Sequence, residues 1–188
     1  PNSVTTIGEG AFRNCTGLES MVIPFVNSYF GWLFGTNNPN GNYSSSTAGR
    51  VPDSLKKVVI TGGTTIGKKA FYDCSGIESI TLPDSVTSIG DRAFYGCNSL
   101  ANITIPDGIT SIGSYIFDGT KYYKNDDNWT DDVLYIGNYL ISARTTKIAE
   151  SYAVKDGKTC IAGHAFSGCT GISNITVPKS VISIGSSA

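Results

Sequence analysis

The side chains able to do chemistry in this 188-residue sequence are few. His164 is the only histidine, so a Ser–His nucleophile rests on one candidate. It takes the same place in a recurring pattern as Gly10, Lys69, Arg92 and Tyr115. A place that accepts all five types is expected to face solvent. The five cysteines form no CxxC pair and no Cys/His set with zinc spacing. Cys15, Cys74, Cys97 and Cys169 share one repeat position, where a ladder of buried free thiols is expected. A bridge between neighbours, Cys15–Cys74 or Cys74–Cys97, stays open at this point, since adjacent rungs bring Cα atoms within disulfide range. Cys160 stands where other copies have Ser88, Ser111 and Ser183, and is expected to be more exposed.

Asp126, Asp127, Asn128, Asp131 and Asp132 offer hard oxygen ligands, but without the spacing, glycine and terminal glutamate of an EF-hand loop. A solvated acidic loop is the expected state, and no metal site is assigned. Paired carboxylates at a fixed separation in a cleft, which a glycoside hydrolase needs, are missing from the pattern. The N-x-Ser/Thr triplets at Asn14, Asn42, Asn102, Asn128 and Asn174 read as composition, because Asn102 and Asn174 fall on expected strands. The remaining candidates are aromatic. Phe25, Tyr29, Phe30, Trp32 and Phe34 lie within ten residues, and Tyr122, Tyr123, Trp129, Tyr135 and Tyr139 form a second group. They either seal a flank of the fold or present a platform for protein hot spots or sugar rings.

What must position these residues is a repeat. ITLPDSVTSIGDRAFYGC at Ile80–Cys97 recurs as ITIPDGITSIGSYIFDGT at Ile103–Thr120. The Ile-Gly pairs at Ile66, Ile89 and Ile112 are 23 residues apart, as are Ile161 and Ile184. Phe comes five residues later as Phe12, Phe71, Phe94, Phe117 and Phe166. A unit this short cannot bury its own apolar face, whereas stacked units can. Apolar pairs such as Val58/Ile60, Ile80/Leu82 and Ile103/Ile105 mark a short strand with one face buried, stopped by Pro83 or Pro106. The expected fold is a mainly β solenoid of about six rungs. Its parallel sheet of short strands is joined by short helical or 3₁₀ turns. Val86, Ile89, Ala93, Phe94 and Cys97 are the expected core of one rung, and Gly90 and Ala93 let coils approach closely.

The pattern LxxIxIPxxVTxIGxxAFxxC resembles the BspA-type leucine-rich repeat. It is carried by Leu100, Ile103, Ile105, Pro106, Ile109, Ile112 and Gly113, with Ala93, Phe94 and Cys97 from the preceding unit. Thr61, Ile116, Thr120, Lys155 and Ala162 depart from it. The resemblance implies a leucine-rich-repeat solenoid in a secreted or cell-surface bacterial protein. It further implies adhesion or binding of an extracellular matrix or host surface protein, with no catalytic residues and no cofactor. The chain is expected to be one solenoid domain over 1–188, cut from a longer array. Insertions are expected at about 25–54 and 118–151.

In the first insertion 25–35 is expected to pack and 36–50 to form an exposed loop. In the second, Gly137-Asn138 between two apolar runs predicts a β-hairpin. Ala149, Tyr152 and Val154 read as a weak strand copy. Alternation turns Lys57, Asn102, Thr104, Asn174 and Thr176 outward as candidate ligand contacts, on a small, polar, nearly uncharged face. Tyr29, Trp32, Phe34 and Trp129 are the aromatic candidates, and with them a carbohydrate-binding module is the alternative to a protein-interaction module; a passive structural spacer is the third reading. A formal net charge of −1 and 15% charged residues carry no basic stripe for nucleic acid. No apolar run reaches the roughly 18 residues of a membrane span.

Overall fold

The computed structural model describes residues 3–26, 29–35, 51–145 and 150–188. Alternating apolar and polar residues build its strands. In chain order they are β1 (Ser20–Ile23), β2 (Lys57–Ile60), β3 (Thr65–Ile66), β4 (Ser79–Thr81), β5 (Ser88–Ile89), β6 (Asn102–Thr104) and β7 (Ser111–Ile112). Next come β8 (Trp129–Thr130), β9 (Val133–Ile136), β10 (Tyr139–Ala143), β11 (Ser151–Ala153), β12 (Cys160–Ile161), β13 (Asn174–Thr176) and β14 (Ser183–Ile184). One short helix, α1, spans Lys121–Lys124. Each repeat supplies a strand to one face, then a two-residue strand, then a turn. The result is a mainly β solenoid of about five turns with parallel strands.

The face sheet runs β1-β2-β4-β6, all parallel, and continues as a separate pair, β11-β13. Val58, Ile80 and Ile103 stand in register, as do Lys57, Ser79 and Asn102. The second sheet, β3-β5-β7, carries Ile66, Ile89 and Ile112 in register. Between rungs the turns make successive i→i−3 bonds, such as Ala93 N–H to Gly90 O and Cys97 N–H to Phe94 O at 3.2 Å each. This is the 3₁₀ pattern expected of segments too short for an α-helix. All five expected core residues of that rung are buried: Val86, Ile89, Ala93, Phe94 and Cys97.

A ladder of rings fills the interior. Phe71, Phe94 and Phe117 stack at 5.7 and 5.3 Å. The ladder continues through the first insertion, where Phe30 lies 4.8 Å from Phe71 and Phe34 lies 5.7 Å from Phe30 and 6.2 Å from Phe12. Residues Phe30–Phe34 form a 3₁₀ turn in the place of an Ala-Phe turn. The bonds Gly10 N–H to Trp32 O (2.9 Å) and Phe30 N–H to Ala70 O (2.6 Å) tie it to both neighbours. The excess of the first interval therefore contains a rung whose sequence has lost the repeat pattern. Its remainder, 36–50, with the expected exposed loop and Asn42, lies outside the described residues, as does Ala149.

The second interval holds a hairpin whose second strand joins the stack at one edge. The hairpin β9–β10 forms around Gly137-Asn138 as expected, with Tyr139 opposite Ile136. Its second strand then pairs in parallel with β12, Tyr139 against Cys160 and Leu140 against Ile161. Leu140 thus stands beside Ile161 as the Ile of a preceding rung would, while the other edge of β10 pairs with β9, and Gly163 N–H reaches Ile112 O of the β7 rung directly. This corrects two expectations. Cys160 is fully buried instead of exposed, because β10 covers it and its Sγ lies 3.4 Å from Ile109 O. The acidic stretch keeps Asp126, Asp127 and Asp131 exposed, as a solvated segment would, but it is not an irregular loop: α1 precedes it, Asp126–Asn128 form a 3₁₀ turn, and β8 pairs with β9.

Candidate functional site

The outward residues of the face sheet form a regular surface. Lys57, Asn102, Thr104, Asn174 and Thr176 are all exposed, as alternation required. They lie in two columns at one-rung pitch, Ser20/Lys57/Ser79/Asn102 and Val22/Val59/Thr81/Thr104. The pair β11-β13 repeats the arrangement with Ser151/Asn174 and Ala153/Thr176. Thr104 and Asn102 thus share a patch with Ser79 and Thr81, while Asn174 and Thr176 sit on the other part of the face.

The aromatic candidates are drawn inward. Phe34 is 1% exposed within the ring ladder, and its side chain has no surface to offer a ligand. Trp32 is half-buried, and its carbonyl accepts from the N–H groups of Gly10 and Gly35. Tyr29 is half-buried at the start of the 3₁₀ turn. Trp129 is half-buried as well: its indole N–H donates to Tyr123 O at 2.8 Å, and its ring meets Tyr123 edge to face at 5.1 Å. The guanidinium of Arg144 lies 4.5 Å from the Trp129 centroid. Arg144 also binds Asp126 and lies 3.6 Å from Asp132, and Lys155 lies 3.8 Å from Asp131. The acidic stretch is therefore cross-linked to its own chain by two cations. Among the described residues no group of three or more His, Cys, Asp or Glu is placed to hold a metal.

The lock predicts its own test. Arg144→Ala removes a cation–π contact and two partly exposed ion pairs, together about 1–2 kcal/mol. Urea melts should show that loss, and Trp emission should shift to the red. Asp126→Asn, at a carboxylate whose side chain is 83% exposed, should change little. A silent Arg144→Ala would mean that the insertion is held by its hairpin alone.

A second group of residues went unrecognised in the sequence. Tyr72 and Tyr95 occupy one repeat position 23 residues apart and stack at 5.1 Å with their planes 9° apart. Lys69 lies over the Tyr72 ring and Arg92 over Tyr115. Tyr115 in turn packs on His164 at 4.7 Å. The signal was present in the shared spacing, but its meaning depends on the turn geometry. Lys69, Arg92, Tyr115 and His164 all have φ between 54° and 58°. The backbone bonds Lys69 N–H to Asp91 O and Arg92 N–H to Ser114 O hold that left-handed conformation. His164 is accordingly half-buried, with Nδ1 2.9 Å from Ser114 Oγ, and is less open than the expected solvent-facing site. Beside this ridge, burial raises the carboxyl of Asp118 above its ordinary range, with Arg92 opposing.

The cysteines pack as thiols. Cys74, Cys97, Cys160 and Cys169 are buried and unbridged, whereas Cys15 is exposed because its rung is the first described in the stack. Burial pushes the thiols of Cys74 and Cys97 well up, with Cys97 adding to the rise at Cys74 and the Cys74 backbone opposing it at Cys97, and Cys97 Sγ–H donates to Phe71 O at 2.9 Å. The thiolate is the reactive form. A disulfide-exchange reagent should therefore titrate Cys15 within minutes and the other four only on unfolding. Fast native labelling of Cys74 or Cys97 would contradict the packing described.

A family model of the BspA type leucine rich repeat region matches six copies over residues 1–36 and 64–188. The chain belongs to the BspA-type leucine-rich repeat family. As such it is a repeat module of a class that mediates protein interactions, and arrays of this class are typically non-enzymatic scaffolds. No curated protein matches the chain significantly. Among solved structures it is similar to a leucine-rich repeat protein of T. pallidum, at 26% identity over 69% of this chain and 52% of that one, with a TM-score of 0.38. A leucine-rich cell surface protein of Faecalibacterium prausnitzii is 27% identical over 98% of this chain and 55% of that one, with a TM-score of 0.40. A leucine-rich repeat protein of Bacteroides ovatus is 22% identical over the whole of this chain and 62% of that one, with a TM-score of 0.42. The chain thus spans little more than half the length of the first two. Among the described residues no helix is long and apolar enough to cross a membrane.

Proposed function

We propose that this BspA-type repeat module binds a protein ligand at an extracellular or cell-surface location, through the outward row of its face sheet. The observation that carries the reading is the exposed column pair at one-rung pitch, with Lys57 as its one charge and Asn102, Thr104, Asn174 and Thr176 as hydrogen-bonding groups. Short polar side chains on a rigid sheet lose little rotamer entropy on docking. Repeated rungs present many such contacts at once. The aromatic candidates contribute packing, so the face and not the insertions is the proposed contact. Matrix or host surface proteins are the proposed ligand class, in keeping with the family. The module needs no cofactor and carries out no catalysis.

The test is a binding panel of immobilised matrix proteins, fibronectin among them, beside a glycan array. The double variant Asn102→Arg/Thr104→Arg should bind its protein ligand at least about tenfold more weakly, which is about 1.4 kcal/mol, with an unchanged melting temperature. Binding to glycans alone, or protein binding indifferent to that variant, would overturn the proposal.

A further inference from the structure

Glu19, Lys56, Glu78 and Ala101 precede the strands β1, β2, β4 and β6 and stand beside one another in a column. The bonds Lys56 N–H to Glu19 O (2.8 Å), Glu78 N–H to Lys56 O (2.8 Å) and Ala101 N–H to Glu78 O (3.1 Å) join them rung by rung. Three of the four side chains are long and charged, whereas Ala101 ends in a methyl group. Beside it opens a cleft of about 340 Å³, lined by Glu78, Asn98, Ser99, Ala101, Asn102 and Lys121. A water takes about 30 Å³ of the liquid, so the cleft has room for a polar side chain.

One wall of the cleft comes from α1, and a departure from the repeat makes that helix possible. Thr120 stands where other rungs carry Cys. It is fully buried, its hydroxyl donates to Phe117 O at 2.7 Å, and the same oxygen accepts the Tyr123 N–H at 3.0 Å, which caps the helix. Tyr122 N–H donates to Leu100 O at 2.8 Å and so pins α1 to the residue before Ala101. Lys121 is thereby held against the cleft. Lys124, one turn further on, donates to Asn98 Oδ1 at 3.3 Å.

The charges do not balance. Lys56 and Glu78 lie 3.6 Å apart and offset each other. Among the described residues neither Lys121 nor Lys124 lies within ion-pair distance of an acid. The surroundings of the cleft therefore carry an excess of positive charge. The neutral groups add donors. The Asn98 carbonyl is taken by Lys124, which leaves its Nδ2 group to donate. Among the described residues the side chains of Ser99 and Asn102 have no hydrogen-bond partner within the protein core or its turns. An ammonium together with N–H and O–H donors in one cleft is the complement of a carboxylate.

We propose that this cleft takes an aspartate or glutamate side chain of the protein ligand, with Lys121 as its counter-ion. Asn102 belongs both to the cleft and to the outward row of the face sheet, so a partner lying on that face brings a side chain to the opening. The inference deepens the protein-interaction reading, and rests on it, by giving the partner an acidic residue beside the segment that lies on the face. The cleft is open to water, where an ion pair adds little raw affinity. Its contribution is to choose the partner and to fix where on the face the partner sits.

The probe is the blocked tripeptide acetyl-Thr-Glu-Thr-amide, titrated at low salt into the full 188-residue chain and read from the side-chain amide NMR signals of Asn98 and Asn102. Saturable shifts with a Kd of about 10 mM or tighter are expected. The glutamine counterpart of the peptide should bind at least about threefold more weakly. Two variants separate a site from diffuse surface charge. Lys121→Gln removes the counter-ion, and Ala101→Leu fills the hollow with no change of charge. Each should bring the glutamate peptide down to the level of the glutamine peptide. Lys121 is exposed and Ala101 only half-buried, so both variants should melt as the parent does. If Ala101→Leu melts early, Lys121→Gln decides alone. No saturable binding, equal affinity for the two peptides, or parental affinity in Lys121→Gln or in a stably folded Ala101→Leu would each overturn the proposal. So would tighter binding of glucuronic acid than of the glutamate peptide, which would make an acidic sugar the occupant. Matrix-protein binding that Asn102→Arg/Thr104→Arg weakens, with the glutamate peptide unbound, would remove the cleft and leave the face reading intact. Peptide binding lost in Lys121→Gln, with no matrix protein bound by the chain, would do the reverse.

Discussion

Replacing Phe94 by Ala is expected to cost about 3–5 kcal/mol, the usual range for emptying a fully buried aromatic site. Phe94 is 0% exposed and sits between Phe71 and Phe117, with ring planes 19° and 9° from theirs. Its neighbours are held by their own rungs. Phe71 N–H bonds to Ala93 O and Phe94 N–H to Ile116 O, so the coils cannot close on the cavity without breaking ladder bonds. The loss is comparable with a large part of a whole domain's stability of about 5–15 kcal/mol. Because each rung touches only its neighbours, the ladder would be cut in the middle, and melting should broaden or split. Phe12→Ala is the internal comparison. That ring is half-buried and, among the described residues, meets only the Phe34 ring, so its loss should be clearly smaller. Calorimetric and urea melts of both variants check this. Equal costs at the two positions would contradict the stacked-ring core.

The second large effect concerns a glycine. Gly113→Ala is expected to destabilise by about 1–3 kcal/mol or more, as overpacking against backbone does. A Cβ on Gly113 would lie 2.4 Å from Asp91 N and 2.6 Å from Gly90 C. Those are main-chain atoms of the adjacent coil, and they move only if the bonds Gly113 N–H to Ile89 O (2.8 Å) and Ser114 N–H to Asp91 Oδ1 (3.0 Å) are disturbed. Gly67 occupies the same place in the motif, yet a Cβ there meets nothing within 4 Å. Its neighbouring rung is the irregular 3₁₀ turn of Phe30–Phe34, which leaves room. Gly67→Ala should therefore stay within about 0.5 kcal/mol of the parent. Ala162 fits the same account, since its rung lies against the hairpin strand β10. Similar losses at Gly67 and Gly113 would show that the glycine serves chain flexibility and not close approach.

The repeat and most of its structural consequences are legible in the order of residues. A 23-residue period with Ile, Phe and Cys in constant places specifies stacked units, because one unit cannot bury its apolar face alone. Period-two alternation settles which residues of each strand face outward, so Lys57, Asn102, Thr104, Asn174 and Thr176 are legible as surface. The hairpin at Gly137-Asn138 is legible from its two-residue turn. The two long intervals are settled only by packing between distant segments. Phe30 and Phe34 belong to the ring ladder because a 3₁₀ turn can place rings where an Ala-Phe turn would, a substitution of shape that leaves no trace in spacing. Leu140 stands beside Ile161 because β10 pairs with β12, and a pairing between distant segments carries no local signature. The same pairing buries Cys160.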